Sequence, residues 1–251
     1  CPGDEISLTT NAKTAHASDA TFGFWDFDPT NPNTTAQYVV PEQSSIIKAI
    51  YIPGDNWYQV VTNPTTQVKV SGVDQTPGYE VDYDGNVTIT NEAGLAWLIS
   101  TINGYNNQNP ENFHFKTVTV MPKTDPNDPY YPGYNMSEHR WTPLGSNRAH
   151  FAGTFSGETI EGVICVENNL PQVGFFGNVA GATINNLHLM NSIFRCNNYV
   201  AGIAAAVTPA YEHNDTIGCF ITGNHVDGST IVSGAYVTGL IAADVKGPAD
   251  V

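Results

Sequence analysis

The chain has 251 residues, with 24 acidic against 9 basic side chains and a net charge of −15. Such a surface repels phosphate backbones and anionic lipid headgroups, which sets nucleic acid aside as a partner. Only 13% of residues are charged, against 23 glycines and 16 prolines, which suits a turn-rich β protein and not a helical bundle or a disordered tail. No run approaches the roughly 18 consecutive apolar residues of a membrane helix.

From Glu5 to about Asn86 the chain alternates short apolar runs with turn clusters. "TFGFWDF", "QYVV", "SIIKAIYI", "NWYQVV" and "TQVKVSGV" are separated by "DPTNPN", "PGDN", "TNP" and "QTPG", strong turn chemistry. Strands at this spacing predict a small β-sandwich over residues 1–86. "YEVDYDGNVTIT" reads as a hairpin turning at Asp84-Gly85. The period then changes. "TNEAGLAWLISTINGYN" sets Leu95, Leu98, Ile99 and Ile102 on one helical face. Thr90 or Asn91 is the N-cap and Gly104 the stop, which predicts a helix near 91–103 laid on the end of a β structure.

Beyond "FKTVTVM" lies the loop "PKTDPNDPYYPGYNMSEHR", then "WTPLG", and from there the chain repeats itself. One word recurs as "TIEGVICV" from Thr159, "TINNLHL" from Thr183 and "TIGCFIT" from Thr216. Another recurs as "VGFFGNV" from Val173, "VAGIAAAV" from Val200 and "VTGLIAADV" from Val237. Their intervals are 24 and 33, and 27 and 37. Strand-like repeats of this length predict a β-solenoid over residues 87–251. In such a fold equivalent residues stack into interior ladders, so small and branched residues recur where charge cannot be accommodated.

The series "VGFFGNV", "VAGIAAAV" and "VTGLIAADV", preceded in order by the helix, "FKTVTVM", "WTPLG" and "FAGTFSGETIEGV", resembles GLUG-repeat proteins over about Thr90 to Val251. The resemblance implies a right-handed parallel β-helix and an adhesin-like lipoprotein of the Bacteroidota cell surface. The sequence departs from that pattern at Ser156-Gly157-Glu158, where the family has an Asp-Gly-Asn turn, and at Ala204 and Ala242, which replace a repeat glycine. "FGFWDFD" is faintly similar to sandwich domains of fimbrillin-type surface proteins. A chain starting "CPGDE" resembles a mature bacterial lipoprotein with its lipid on Cys1, which implies an outer-membrane, cell-surface location and membrane contact through that lipid only; the alternative is a segment that happens to begin on cysteine. The other three cysteines, Cys165, Cys196 and Cys219, lack metal-ligand spacing and read as buried free thiols. The chain stops just after a repeat word, so the expectation includes a longer protein or a final turn closed by a partner.

Candidate chemistry is sparse. Glu158, Glu161, Glu167, Asp215, Asp227 and Asp244 share no equivalent repeat position, so paired catalytic carboxylates are not predicted. From Thr159 onward only Arg195 and Lys246 are cationic. "SEHRWTPLGSNRAH" gathers Glu138, His139, Arg140, Arg148 and His150, either a site or the rim of the first turn with Trp141 packed inward. Asp125, Asn127 and Asp128 offer oxygens in a tight turn, a weak Ca²⁺ candidate without the spacing of a known calcium loop; no other cofactor is predicted. Asp82 to Asn86 also looks like half a calcium loop, but the hairpin reading prevails there. Tyr130, Tyr131 and Tyr134, on a proline-stiffened loop, are the candidate sugar-stacking faces. The expected function is non-enzymatic binding of a polysaccharide, glycoprotein or other surface protein. The alternatives are a carbohydrate-active β-helix enzyme and a structural pilus or secretion accessory.

Overall fold

The structure, a computed structural model, describes residues 3–10, 20–28, 31–60, 68–70, 73–75, 78–128, 130–145, 149–212, 215–247 and 249–250. Among them are 28 strands and two helices, so the protein is all-β. Cys1 and Arg148 lie outside the described residues. The chain divides into two compact units, Cys1–Asp55 and Asn56–Val251.

The first unit is built of two antiparallel ribbons. Glu5–Thr9 pairs with Thr35–Val39, and Thr21–Trp25 pairs with Ala49–Ile52 across a bulge between Phe22 and Phe24. The hydroxyls of Thr10 and Tyr51 link them at 2.7 Å. Phe24 and Trp25 are buried, and the indole N–H of Trp25 donates to the carbonyl of Asn33 at 3.0 Å. The ribbons have two strands each, smaller than the sheets of the expected sandwich.

The expected hairpin at 79–90 belongs to the second unit, not to the first. Its strands Tyr79–Val81 and Val87–Ile89 meet at a turn organised by Asp82. One carboxylate oxygen accepts the amides of Asp84 and Asn86, the other the side-chain amide of Asn86. Gly85, at φ 81°, supplies the left-handed step. Both oxygens of Asp82 thus serve the turn, which accounts for the calcium-like spelling without a calcium ion. These hydrogen bonds hold the Asp82 carboxyl below its usual range.

The long helix, Glu92–Asn103, starts on an Asn91 side chain that accepts the Gly94 amide and stops at Gly104 in the left-handed region. It differs from expectation in being buried nearly all round. Besides Leu95, Leu98, Ile99 and Ile102, it buries Ala93, Ala96 and Trp97, whose ring stacks on Tyr79 at 3.8 Å. Gly94 is required by close approach: a Cβ there would lie 2.3 Å from the carbonyl oxygen of Gly78. The short helix Trp57–Val60 was not foreseen. It is anchored by the buried indole of Trp57, which donates to the Met136 carbonyl at 3.0 Å.

From Thr117 onward the chain makes successive passes whose strands pair in parallel. One sheet stacks Val87, Val118, Phe155, Ile184 and Ile221 in a single buried column. A second stacks Tyr134, Ile160, Leu189 and Val226. Further ladders carry Cys165–Phe194–Val232, Val173–Val200–Thr238 and Phe176–Ala204–Ala242. In the first of these sheets the residues flanking the column are half-buried or exposed, as strand alternation requires, whereas Ala204 to Val207 are buried in succession. Removing a Phe, Ile or Leu from water contributes about 1.5–3 kcal/mol each, so the columns are the main source of stability.

The register corrects the intervals read from the first repeated word. Thr183 pairs with Thr154 and Phe220, not with Thr159 and Thr216; Thr159 instead faces His188. "TFS" at 154–156 and "TIE" at 159–161 are neighbouring strands of one pass, and both resemble "TIN" at 183–185. Similarity between two sides of a pass therefore imitates similarity between passes. For the second word the first interval holds, with Val173 opposite Val200, but Val200 meets Thr238. The last interval is longer because an antiparallel hairpin, Ala210–Glu212 with Asp215–Ile217, is inserted between passes.

A candidate binding cleft beside the long helix

The loop after Thr117–Val120 is shaped by its own carboxylates. Asp125 accepts the backbone and side-chain amides of Asn127, both at 2.9 Å. Asp128 accepts the Tyr130 amide at 2.8 Å through one oxygen and the Lys123 ammonium at 2.9 Å through the other. These turns explain why Asp, Asn and Pro crowd the segment. They also employ three of the oxygens offered to Ca²⁺, Oδ1 of Asp125 and both carboxylate oxygens of Asp128. Among the described residues no group of three or more His, Cys, Asp or Glu side chains is placed to hold a metal.

Lys123 reaches from this loop to the helix, where its Nζ lies 2.7 Å from Oε1 of Glu92. The same oxygen accepts the Asn135 amide at 3.1 Å. Glu92 is 2% exposed, and its Oε2 is buried with no hydrogen-bond partner among the described residues. Burial by itself lowers the Lys123 pKa, but hydrogen bonds and charge from Glu92 and Asp128 outweigh it and leave the ammonium raised. Burial pushes the Asp128 carboxyl up, while Lys123 and the Tyr130 amide pull it lower overall.

Above this triad opens a cleft of about 530 Å³, lined by Glu80, Thr88, Thr90, Glu92, Lys123 and Asp125 among others. That volume falls within the range of small-molecule sites, roughly 300–1,000 Å³. Tyr130 and Tyr131, 37% and 49% exposed, follow on the same loop, and the Tyr130 ring lies 5.9 Å from Lys123 Nζ. Tyr134 corrects the sequence expectation. It is fully buried in the column with Ile160, its hydroxyl donates to the Met121 carbonyl, and its ring lies 5.5 Å from Lys123 Nζ. Burial first, then the charges of Glu92 and Glu158, push its phenol pKa up. It has no free face for a sugar; it is part of the wall that holds Lys123.

Among the described residues of the polar cluster at 138–150, Arg140 and His139 have placed partners. Arg140 bonds Glu167 on the next pass at 3.1 Å, and the His139 ring sits edge-on against Trp57 at 4.8 Å. Trp141 is buried against Phe175, as the rim reading expects. Asp227 binds the hydroxyls of Ser229 and Thr230, and Asp244 lies 3.1 Å from Lys246. Cys165, Cys196 and Cys219 are buried free thiols, each with its pKa raised by burial.

Sequence reasoning found the loop but missed Glu92 and Lys123. Glu92 reads as an ordinary first-turn acid that favours the helix N-terminus. Its partner is 31 residues away, so no local pattern connects them. The available signal was Lys123 itself, a cation in an acidic loop of a chain with only nine basic residues. No protein-family model, no curated protein and no solved structure matches this chain.

Proposed function

We propose that the protein is a non-enzymatic, glycan-binding module, and that its stacked parallel strands wind as a right-handed β-helix of the GLUG-repeat kind. The winding is supported by five parallel ladders, each taking one strand per pass in the same chain order. The binding role is carried by one observation: a buried carboxylate oxygen of Glu92, lacking a partner among the described residues, at a hydroxyl-bearing cleft whose Lys123 lies 5.9 Å from the ring of the exposed Tyr130. Carboxylates, threonine hydroxyls and tyrosine rings are the groups that receive sugar hydroxyls and sugar faces. Catalysis fits less well, because one ammonium already bridges Glu92 and Asp128. A glycosidase needs such a pair to hold different protonation states. Placement on a bacterial outer membrane through a lipid on Cys1, in an adhesin-like role, completes this reading.

The test is to pass the protein over a panel of mucin and plant polysaccharides, following retention and the release of new reducing ends together. Retention without release is the expected result. Release from any polymer would make the protein an enzyme and overturn the reading. A second reading, assembly with another protein, is favoured by the last pass, where Tyr236, Leu240 and Val245 are exposed. Its test is sedimentation of the protein with and without a Leu240→Asp substitution.

A further inference from the structure

The charge around the cleft narrows its ligand class. Glu80, Glu92, Asp125 and Asp128 face one cation, Lys123, and two of that ammonium's three protons are already directed at carboxylates. The remaining lining includes the neutral donors and acceptors Thr88, Thr90 and Thr124. Around it stands a chain of net charge −15. An incoming anion meets the uncompensated charges of Glu80 and Asp125 at the exposed rim, a repulsion that is strongest at low ionic strength. An incoming hydroxyl or ammonium meets the reverse: Oε2 of Glu92, desolvated and without a donor, is the acceptor with most to gain from a new hydrogen bond.

We infer that the cleft selects uncharged or amine-bearing sugar units and rejects acidic ones, with Glu92 Oε2 accepting a hydrogen bond from the sugar. The inference rests on the glycan-binding reading and specifies it. Lys123 holds Oε1 and fixes the carboxylate's orientation, while Oε2, buried just behind the cleft wall, receives the sugar's donor as lining side chains move aside. The discriminating groups are the rim acids Glu80 and Asp125, both on the exposed side of the cleft.

Three matched probes test this: neutral cello-oligosaccharides, amine-bearing chitosan oligosaccharides and acidic oligogalacturonates, each titrated into the intact protein at low ionic strength. Binding of either of the first two, at least about tenfold tighter than the third, is expected, a factor well within reach of one charge-assisted contact. The two favourable arms tell a hydroxyl donor from an ammonium donor. Glu92→Gln preserves an oxygen for Lys123 and Asn135 but replaces the free acceptor by a donor, and binding should fall by about tenfold or more. Because a change at a buried acid also alters stability, Glu80→Gln with Asp125→Asn serves as the second variant on exposed side chains. It should keep the fold and narrow the gap between neutral and acidic probes.

Equal or tighter binding of oligogalacturonate overturns the charge selection while leaving glycan binding standing. Unchanged affinity in a folded Glu92→Gln protein overturns the role of Glu92 in the same way. If none of the probes and none of the polysaccharides is retained, the glycan reading itself fails, and this inference with it.

Discussion

The third pass and the fourth are nearly the same sentence with different consequences. Ala204, Val207 and Ile203 are fully buried, whereas Ala242 and Ile241, their register partners or equivalents, are half-buried, and Val245 is 44% exposed. The residue types barely change. What changes is the neighbourhood, because the third pass has a parallel strand on each side. Strands Ile231–Gly234, Val237–Gly239 and Ala242–Val245 have none beyond them among the described residues. The opposite end is covered. The long helix lies against the first pass, with Glu92 accepting the Asn135 amide and Asn103 donating to the Pro143 carbonyl. In a stack of this kind an apolar word describes what a residue offers, and its place in the stack decides how much of that is realised.

The largest expected effect tests the covered end. Lys123→Met leaves Glu92 as a buried charge without its cation and should cost about 3–5 kcal/mol, as when one partner of a buried pair is removed. Chemical denaturation read by tryptophan fluorescence checks it, since Trp57, Trp97 and Trp141 all lie in the second unit's core. The pH dependence follows from the two shifts. Lys123 is raised above its ordinary 10.5, so its contribution is complete below that pH and is lost as pH rises through the folded value. Asp128 is lowered from 3.8, so its contribution is present above that pH and is lost as pH falls through its folded value. The substitution should flatten stability at both extremes. A Lys123→Met protein as stable as the parent would remove the triad from the account of how this end is held.

The contrast between passes is tested directly by the same substitution at equivalent places. Ile203→Ala should cost about 2–5 kcal/mol, the range for a fully buried aliphatic side chain. Ile241→Ala should cost less than half as much, because its site is already open to water. Ile203 and Ile241 occupy matching positions, since Gly202 bonds Leu240 and Ala204 bonds Ile241 through the backbone. Equal losses would show that the fourth pass is covered in solution, pointing to self-association; sedimentation of the parent protein distinguishes that outcome.

These pairs also mark how far the sequence could be read. The repeated words exposed the all-β, layered character because a ladder forces like residues to recur. The helix was legible from its caps, Asn91 and Gly104, together with its apolar spacing. The register was not, because two sides of one pass carry similar words, Thr154-Phe155 and Thr159-Ile160. The inserted hairpin at 210–217 then lengthened the later interval. The cleft was half legible. Asp125, Asp128 and Tyr130 drew attention through their crowded loop, but Tyr134 looked like its neighbours and turned inward. Alternation along a two-residue strand, Tyr134–Asn135, is too short to show which way a side chain faces.

The smallest effect concerns the start of that helix. The Asn91 side chain accepts the Gly94 amide at 3.1 Å, sharing this first-turn donor with its own backbone carbonyl. Asn91→Ala should cost about 1 kcal/mol, and Asn91→Asp nearly nothing, because aspartate caps as well and adds charge at the favourable helix end. Glu92 is the next residue, so a second acid there also tests whether Lys123 has charge to spare. If Asn91→Asp costs as much as Asn91→Ala, repulsion from Glu92 has cancelled the cap, and the covered end is limited by electrostatics. If it costs nothing, the ammonium of Lys123 compensates the added charge, and the end is held mainly by the packing of Leu95, Leu98 and Ile102 against the first pass.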